Sequence, residues 1–469
     1  MNCRTLILGT WVFAFALSIG AVTSSAQDKS PWPDDPPKPA GYAFPVLGQP
    51  EGELPPDFTP LTGMQNVRLG FPEVRHSYWV PGLQFSSNVF SNSYSQAGNS
   101  NWTADNYFIG NLSLVKARRL SILAVNYSGG GYVSTDTRRG SGYYQQLALA
   151  QNIQTKRWLI QVVDQFSANP QSSFGYGGVT NLGVPGVGGS LGTIMPGLGG
   201  NYVPSVGVYG VGAYRYNLVG LQATYALSHR GSITVAGSYS LLDFQEAGNI
   251  DSRTTVGSIG YNYALSRNDT IGLVYRFSSY QFPGDPQAYG SQVMSFAYGR
   301  KITSRLGLRF FIGPEVTNYR IPVGSSSRNV DLSATANMTY AFHHGRFTLG
   351  YIHGVYANSG VLVGSNFDEV LASVSHSLTS TWTGSVQFGY SRNSPVGGTS
   401  VTGHPAYDDW YVGAGVNRPI CGNLNFGLSY TALTSSRLPG CTGAGCNNPS
   451  TYNTITANFQ WHPRPSLLE

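Results

Sequence analysis

Ser232-Ile233-Thr234-Val235-Ala236-Gly237-Ser238-Tyr239-Ser240-Leu241 is the stretch on which the reading of this chain turns. Ile233, Val235, Gly237, Tyr239 and Leu241 share one parity, and Ser232, Thr234, Ala236, Ser238 and Ser240 share the other. Successive side chains of a strand point to opposite sides, so a period of two predicts an extended strand with unlike faces. The polar face is the informative one. It carries small hydroxyls where the sheet of a soluble protein would carry long Lys and Glu side chains. Aliphatic and aromatic groups on one side and small polar groups on the other suit a wall between hydrocarbon and water.

The same pattern recurs outward in both directions, from about Leu83 to Trp461. Val219 to Leu227 sets Leu221, Ala223 and Tyr225 against Gln222 and Thr224, and the pattern repeats in Val330 to Phe342, Trp382 to Tyr390, Leu424 to Tyr430 and Ile455 to Trp461. Short turns are expected near Ala117-Arg118, Gln154-Thr155, Ser228–Gly231, Arg267–Asp269, Thr303-Ser304, His343–Gly345, Thr379-Ser380 and Pro419–Gly422. Longer polar or Gly-rich loops fall between them, at 92–104, 130–141, 168–209, 244–251, 281–288, 319–328, 357–366, 393–406 and 434–449. Short turns on one side and long loops on the other mark an up-and-down barrel. The expected fold is therefore all-β, a transmembrane antiparallel up-and-down barrel of about 16–18 strands over residues 81–461. An even strand count puts both termini on the short-turn side. A β-sandwich would not sort its loops by length so strictly, and no blade repeat of the propeller kind is visible.

Composition agrees. Charged residues are 11% of the chain, against roughly 25% in ordinary soluble domains, while Gly (59) and Tyr (30) are abundant. The formal charge of +6 is spread without a Lys/Arg run, so no nucleic-acid partner is expected. Past the N-terminus no stretch reaches the ~18 apolar residues of a transmembrane helix, so a membrane form must be a closed barrel.

Residues 1–26 read as a cleaved signal peptide: Arg4, the apolar run Leu6 to Ile19, then Ser24-Ser25-Ala26 before a mature start at Gln27. Cys3 precedes the apolar run and so is not a lipoprotein cysteine. Residues 27–80 form a separate Pro-rich periplasmic segment opened by Pro31-Trp-Pro-Asp-Asp-Pro-Pro-Lys-Pro39. Such a stretch favours polyproline II and cannot join a central strand. It is either a spacer or the docking segment for a periplasmic partner. Residues 462–469 remain as a C-terminal tail. Cys441 and Cys446 lie in a Gly-rich stretch and suit a loop disulfide in an oxidising compartment, the alternative being metal; Cys421 is left over.

Aromatics gather towards segment ends on the apolar parity: Tyr261 and Tyr263, Phe296 and Tyr298, Phe388 and Tyr390, Phe459 and Trp461. That placement fits the two interfacial girdles of a membrane barrel. Here the chain resembles Gram-negative outer-membrane barrels of the porin-like group. The resemblance implies a bacterial outer-membrane location with periplasmic termini, contact with outer-membrane lipid, and delivery by the barrel-assembly machinery. Phe459-Gln460-Trp461 resembles the aromatic-x-aromatic assembly signal that ends such chains, and the tail from His462 departs from it.

Catalytic groupings are not expected. His229, His343 and His344 read as turn residues, His353 and His376 as apolar-face residues and His404 as a loop residue, so no His–acid set converges and the chain is read as no enzyme. No cofactor or metal is implied. Residues 165–214 hold no Asp, Glu, Lys, Arg or His, yet they carry Phe174, Tyr176, Met195 and Tyr202 among many glycines. In porins the third outer loop commonly folds into the lumen, and this one is expected to constrict the pore with those side chains; a subunit-contacting loop is the alternative. Arg276, Arg309, Glu315 and Asp331 take the polar parity and are expected to line the pore, paired or selecting solutes. The expected function is a porin-like channel for passive diffusion of small polar solutes. A non-conducting scaffold or surface-interaction barrel and a transporter of hydrophobic molecules are the rivals, and a homo-oligomer is compatible with all three.

Overall fold

The computed structural model describes residues 77–92, 101–135, 141–169, 214–245, 250–283, 288–320, 326–356, 364–396, 406–421, 423–436, 450–463 and 466–468. The wall is built from β1 (Tyr78–Asn92), β2 (Asn101–Arg118), β3 (Ser121–Ser134), β4 (Ser141–Gln154), β5 (Trp158–Asn169), β6 (Tyr214–Ala226), β7 (Gly231–Phe244), β8 (Ser252–Ala264) and β9 (Asp269–Gln281). It continues through β10 (Ala288–Lys301), β11 (Leu306–Arg320), β12 (Ser326–Phe342), β13 (Gly345–Tyr356), β14 (Ser365–Ser377), β15 (Thr383–Pro395), β16 (Tyr407–Cys421), β17 (Leu424–Ser435) and β18 (Ser450–Trp461). A two-residue β19 (Ser466–Leu467) lies in the tail.

Each strand pairs antiparallel with its neighbours in sequence, and β1 pairs with both β2 and β18, so the sheet closes on itself. Closure joins the first wall strand to the last, which is what a spanning sheet requires, although the ladder is interrupted where β12 and β13 part beyond Ala334 and His353. The two-faced strands sort as their parity predicts. In β6 and β7 Leu221 and Val235 stand half exposed on the outside, while Gln222 and Thr234 are buried on the inside. All the long connections lie at one end of the barrel and the short turns at the other.

The short turns have a shared chemistry. At Ser228, Ser266, Thr303 and Thr379 a hydroxyl accepts the N–H groups two and three residues on, as in the 2.9 Å bond from Gly231 and the 3.0 Å bonds from Asp269, Leu306 and Trp382. A Ser or Thr side chain thereby replaces the partners that a tight turn denies to its own backbone. The first turn falls at Arg119-Leu120 and not at Ala117-Arg118, because the Ser77 hydroxyl holds the Ala117 N–H at 3.0 Å and β2 runs on to Arg118. The tail also differs from a bare appendage: Leu467 and Ser466 pair with Tyr78 and Trp79 of β1.

Candidate pore lining

Three of the four charges expected in the lumen lie on the inner face. Arg276 of β9 and Glu315 of β11 flank Val293 of β10 in register, and both are buried. Facing lipid near mid-membrane an Arg would cost roughly 2–4 kcal/mol, which the inward parity avoids. Arg276 donates to the Tyr356 hydroxyl and lies within electrostatic reach of Glu315. The Glu315 carboxylate accepts hydrogen bonds from the Ser291 hydroxyl on Oε1 and from the Val355 N–H on Oε2 at 3.3 Å. Arg309 faces inward nearer the short-turn end, opposite Gly299 and Asn337.

The wall is locally irregular beside Glu315. Pro314 has no N–H, and the ladder to β10 lapses opposite Gly313-Pro314. A Cβ at Gly313 would collide with the Met294 carbonyl, so this approach of two backbones requires glycine there.

Asp331 pairs in register with Glu315, but its carboxylate lies elsewhere. It accepts the Leu332 N–H at 2.8 Å and stands 3.7 Å from His353 Nε2, while His353 Nδ1 meets Asp368 Oδ1 at 2.6 Å. A His–acid grouping does therefore form, against the expectation that none converges. It arises because β12 and β13 part company at this point: their ladder ends at Ala334 and His353, and the imidazole bridges the gap between β12 and β14.

Sequence reasoning missed an inner row of acid and hydroxyl groups, Glu369, Ser391, Asp409 and Ser435, which are register partners across β14 to β17 and are all buried. Both acids sit in Asp-Glu or Asp-Asp doublets, Asp368-Glu369 and Asp408-Asp409. A doublet puts one carboxylate on each face, so parity alone does not say which acid is inside. Outside, Asp408 accepts the Tyr390 hydroxyl at 2.9 Å.

Phe459 and Trp461 face outward at the end of β18, Phe459 against the ring of Phe426 at 5.0 Å. Cys421 is a free thiol at the turn end of β16. Phe174, Tyr176, Met195, Tyr202, Cys441 and Cys446 lie outside the described residues, as do the signal peptide and the Pro-rich segment.

Inner-face side chains differ in exposure: Ser232, Arg309, Thr348 and Ser373 are partly exposed, whereas Gln222, Ser391 and Asp409 are fully covered at 0%. The class of protein is thus a closed antiparallel barrel of eighteen wall strands, apolar outside and polar inside.

No family model matches the chain, and no curated protein matches it in sequence. Among solved structures it is similar to the outer membrane protein OpdK of Pseudomonas aeruginosa, at 9% identity and a TM-score of 0.43, covering 82% of this chain and 98% of that one. It is similar to OpdQ of Pseudomonas aeruginosa at 9% identity and a TM-score of 0.44, over 84% of this chain and 100% of that one. A BenF-like porin from Pseudomonas fluorescens aligns at 11% identity and a TM-score of 0.41, over 84% and 99%.

Proposed function

We propose that this protein is an outer-membrane channel through which small polar solutes diffuse passively, with its short turns and termini in the periplasm. The observation that carries the reading is the sorting of faces in a closed eighteen-strand wall: Leu221 and Val235 outside, Gln222, Thr234 and Ser238 inside. An apolar exterior requires lipid, and a barrel of this strand number is wide enough to enclose water. Selectivity is assigned to the inner charges Arg276, Arg309 and Glu315 and to the uncharged segment 165–214. Single-channel recording in planar lipid bilayers tests the proposal. Discrete conductance steps that scale with salt concentration support it, and a folded, inserted protein that never conducts overturns it.

A second reading draws on the buried inner face. Complete burial of Gln222, Ser391 and Asp409 suits a barrel whose interior is occupied, acting as a scaffold in the membrane. The same recordings decide between the two.

A further inference from the structure

We propose that Glu315 is a positioning residue that holds the outer end of β13 inside the barrel and so sets the width of the pore. The inference deepens the channel reading and rests on it for the word pore. It begins with backbone accounting. The ladder between β12 and β13 runs from Phe342 and Gly345 only as far as Ala334 and His353. On one side β12 stays paired with β11 out to Ser326, and on the other β13 stays paired with β14 out to Tyr356. β13, still paired with β14 and through it with β15, therefore separates from β12 after His353, and the backbone groups of its last residues that would face β12 need other partners.

Side chains of β11 and β9, on the far side of β12, supply them. The Val355 N–H donates to Glu315 Oε2 at 3.3 Å, and the Tyr280 hydroxyl donates to the Val355 carbonyl at 3.1 Å. Val355 of β13 is thus held by β11 at its N–H and by β9 at its carbonyl, beyond the point where β12 ceases to pair with the strand. Arg276 binds the neighbouring Tyr356 hydroxyl. Val355 packs with Tyr280, Phe282 and Tyr289, and Val396 at the end of β15 joins the same cluster. Residues of β9 and β10 on one side of β11–β12 and of β13 and β15 on the other meet there, so the cluster spans that stretch of the wall on its inner side. At Gly354 a Cβ would stand 3.2 Å from Glu315 Oε2 and 3.4 Å from Ser333 Oγ, so the absence of a side chain is what lets the strand lie against the carboxylate.

Among these partners Glu315 is central because it joins three groups: the Ser291 hydroxyl, the Val355 amide and, through space, Arg276. Removing the carboxylate leaves the buried Val355 N–H without its acceptor and the buried Arg276 guanidinium without its nearby negative charge, a loss that favours moving the end of β13 back towards β12. The residue acts on solutes through the end of β13 and need not touch them.

The experiment uses the full chain with Glu315→Ala, Glu315→Gln and Tyr280→Phe, each shown to be folded by resistance to heat on a gel. Glu315→Ala should raise single-channel conductance by about two-fold, since pore width governs passage. Glu315→Gln keeps an oxygen acceptor for Val355 and should fall between Ala and the native residue, and Tyr280→Phe should give a smaller rise. A second readout does not need conduction. A cysteine at position 355, assayed by mass spectrometry after a membrane-impermeant thiol reagent, should react roughly ten-fold faster when Glu315→Ala is added, as for a locally opened segment. Unchanged labelling and unchanged conductance in folded Glu315→Ala overturn the proposal. Faster labelling in a protein that never conducts keeps the β13 anchor and discards the channel.

Discussion

Ser228, Ser266, Thr303 and Thr379 each follow an apolar residue, Leu227, Leu265, Ile302 and Leu378, and each accepts two amides of its own turn. Replacing any one by Ala removes both bonds at an exposed site, and should destabilise the barrel by about 0.5–1.5 kcal/mol in urea unfolding from lipid vesicles. A Ser304→Ala control in the same turn, whose hydroxyl is not part of the pattern, should leave the midpoint in place. His344 makes a different local demand. It occupies the left-handed region at φ 64° in a two-residue turn, with its ring 3.9 Å from that of His343. A side chain there carries a penalty of roughly 1–2 kcal/mol that glycine avoids. His344→Gly should therefore raise the unfolding midpoint, and a fall would mean that the stacked pair stabilises the turn by more than the strain. At this scale the positions of turns and faces were legible from parity and polar punctuation. The acid doublets were not, because parity assigns a doublet to both faces at once.

The strands themselves were legible because one face meets hydrocarbon and the other does not, so every wall strand carries its own record of orientation. What parity could not supply was the separation of β13 from β12. The alternation of Gly345 to Tyr356 breaks at Ile352 and His353 and the strand's last three residues are all buried, but the reason for its path lies in Glu315 and Tyr280 on other strands. The end of the chain is a second case. After Trp461 the chain rejoins β1 further along, Ser466 against Trp79 and Leu467 against Tyr78, with the Leu468 N–H on the Ser77 carbonyl at 2.9 Å. The tail that looked like a departure from the assembly signal is a continuation of the closing strand. Ending the chain at Trp461 should expose the first residues of β1 as an unpaired edge. Hydrogen exchange followed by mass spectrometry should then quicken at 77–80 and stay slow at 83–89. Equal protection in the two forms would mean that the tail pairing is not populated in solution.

For the whole molecule, the question is which elements limit passage, and the wall itself shows how to ask it. Asn169 and Tyr214 are register partners at the outer ends of β5 and β6, and every residue below them is paired down to Trp158 and Tyr225. The connection between those ends can therefore be shortened without disturbing the hairpin that carries it. Residues 175–200 hold glycines with apolar and aromatic side chains and no charge, a composition that gains by leaving bulk water. The mouth of the barrel is the nearest shelter, so deleting 175–200 should raise conductance while the protein stays heat-resistant. Glu315→Ala should also raise it, by freeing the end of β13 on the other side of the lumen. If the two elements constrict the same passage in series, the double variant should conduct more than the product of the two single effects, because each alone leaves the other as the narrow point. If the two act on separate passages, their conductance increments should simply add and the double variant should fall below the product of the single effects. Unchanged conductance in the folded deletion variant would place the loop outside the pore and leave the β13 end as its constriction.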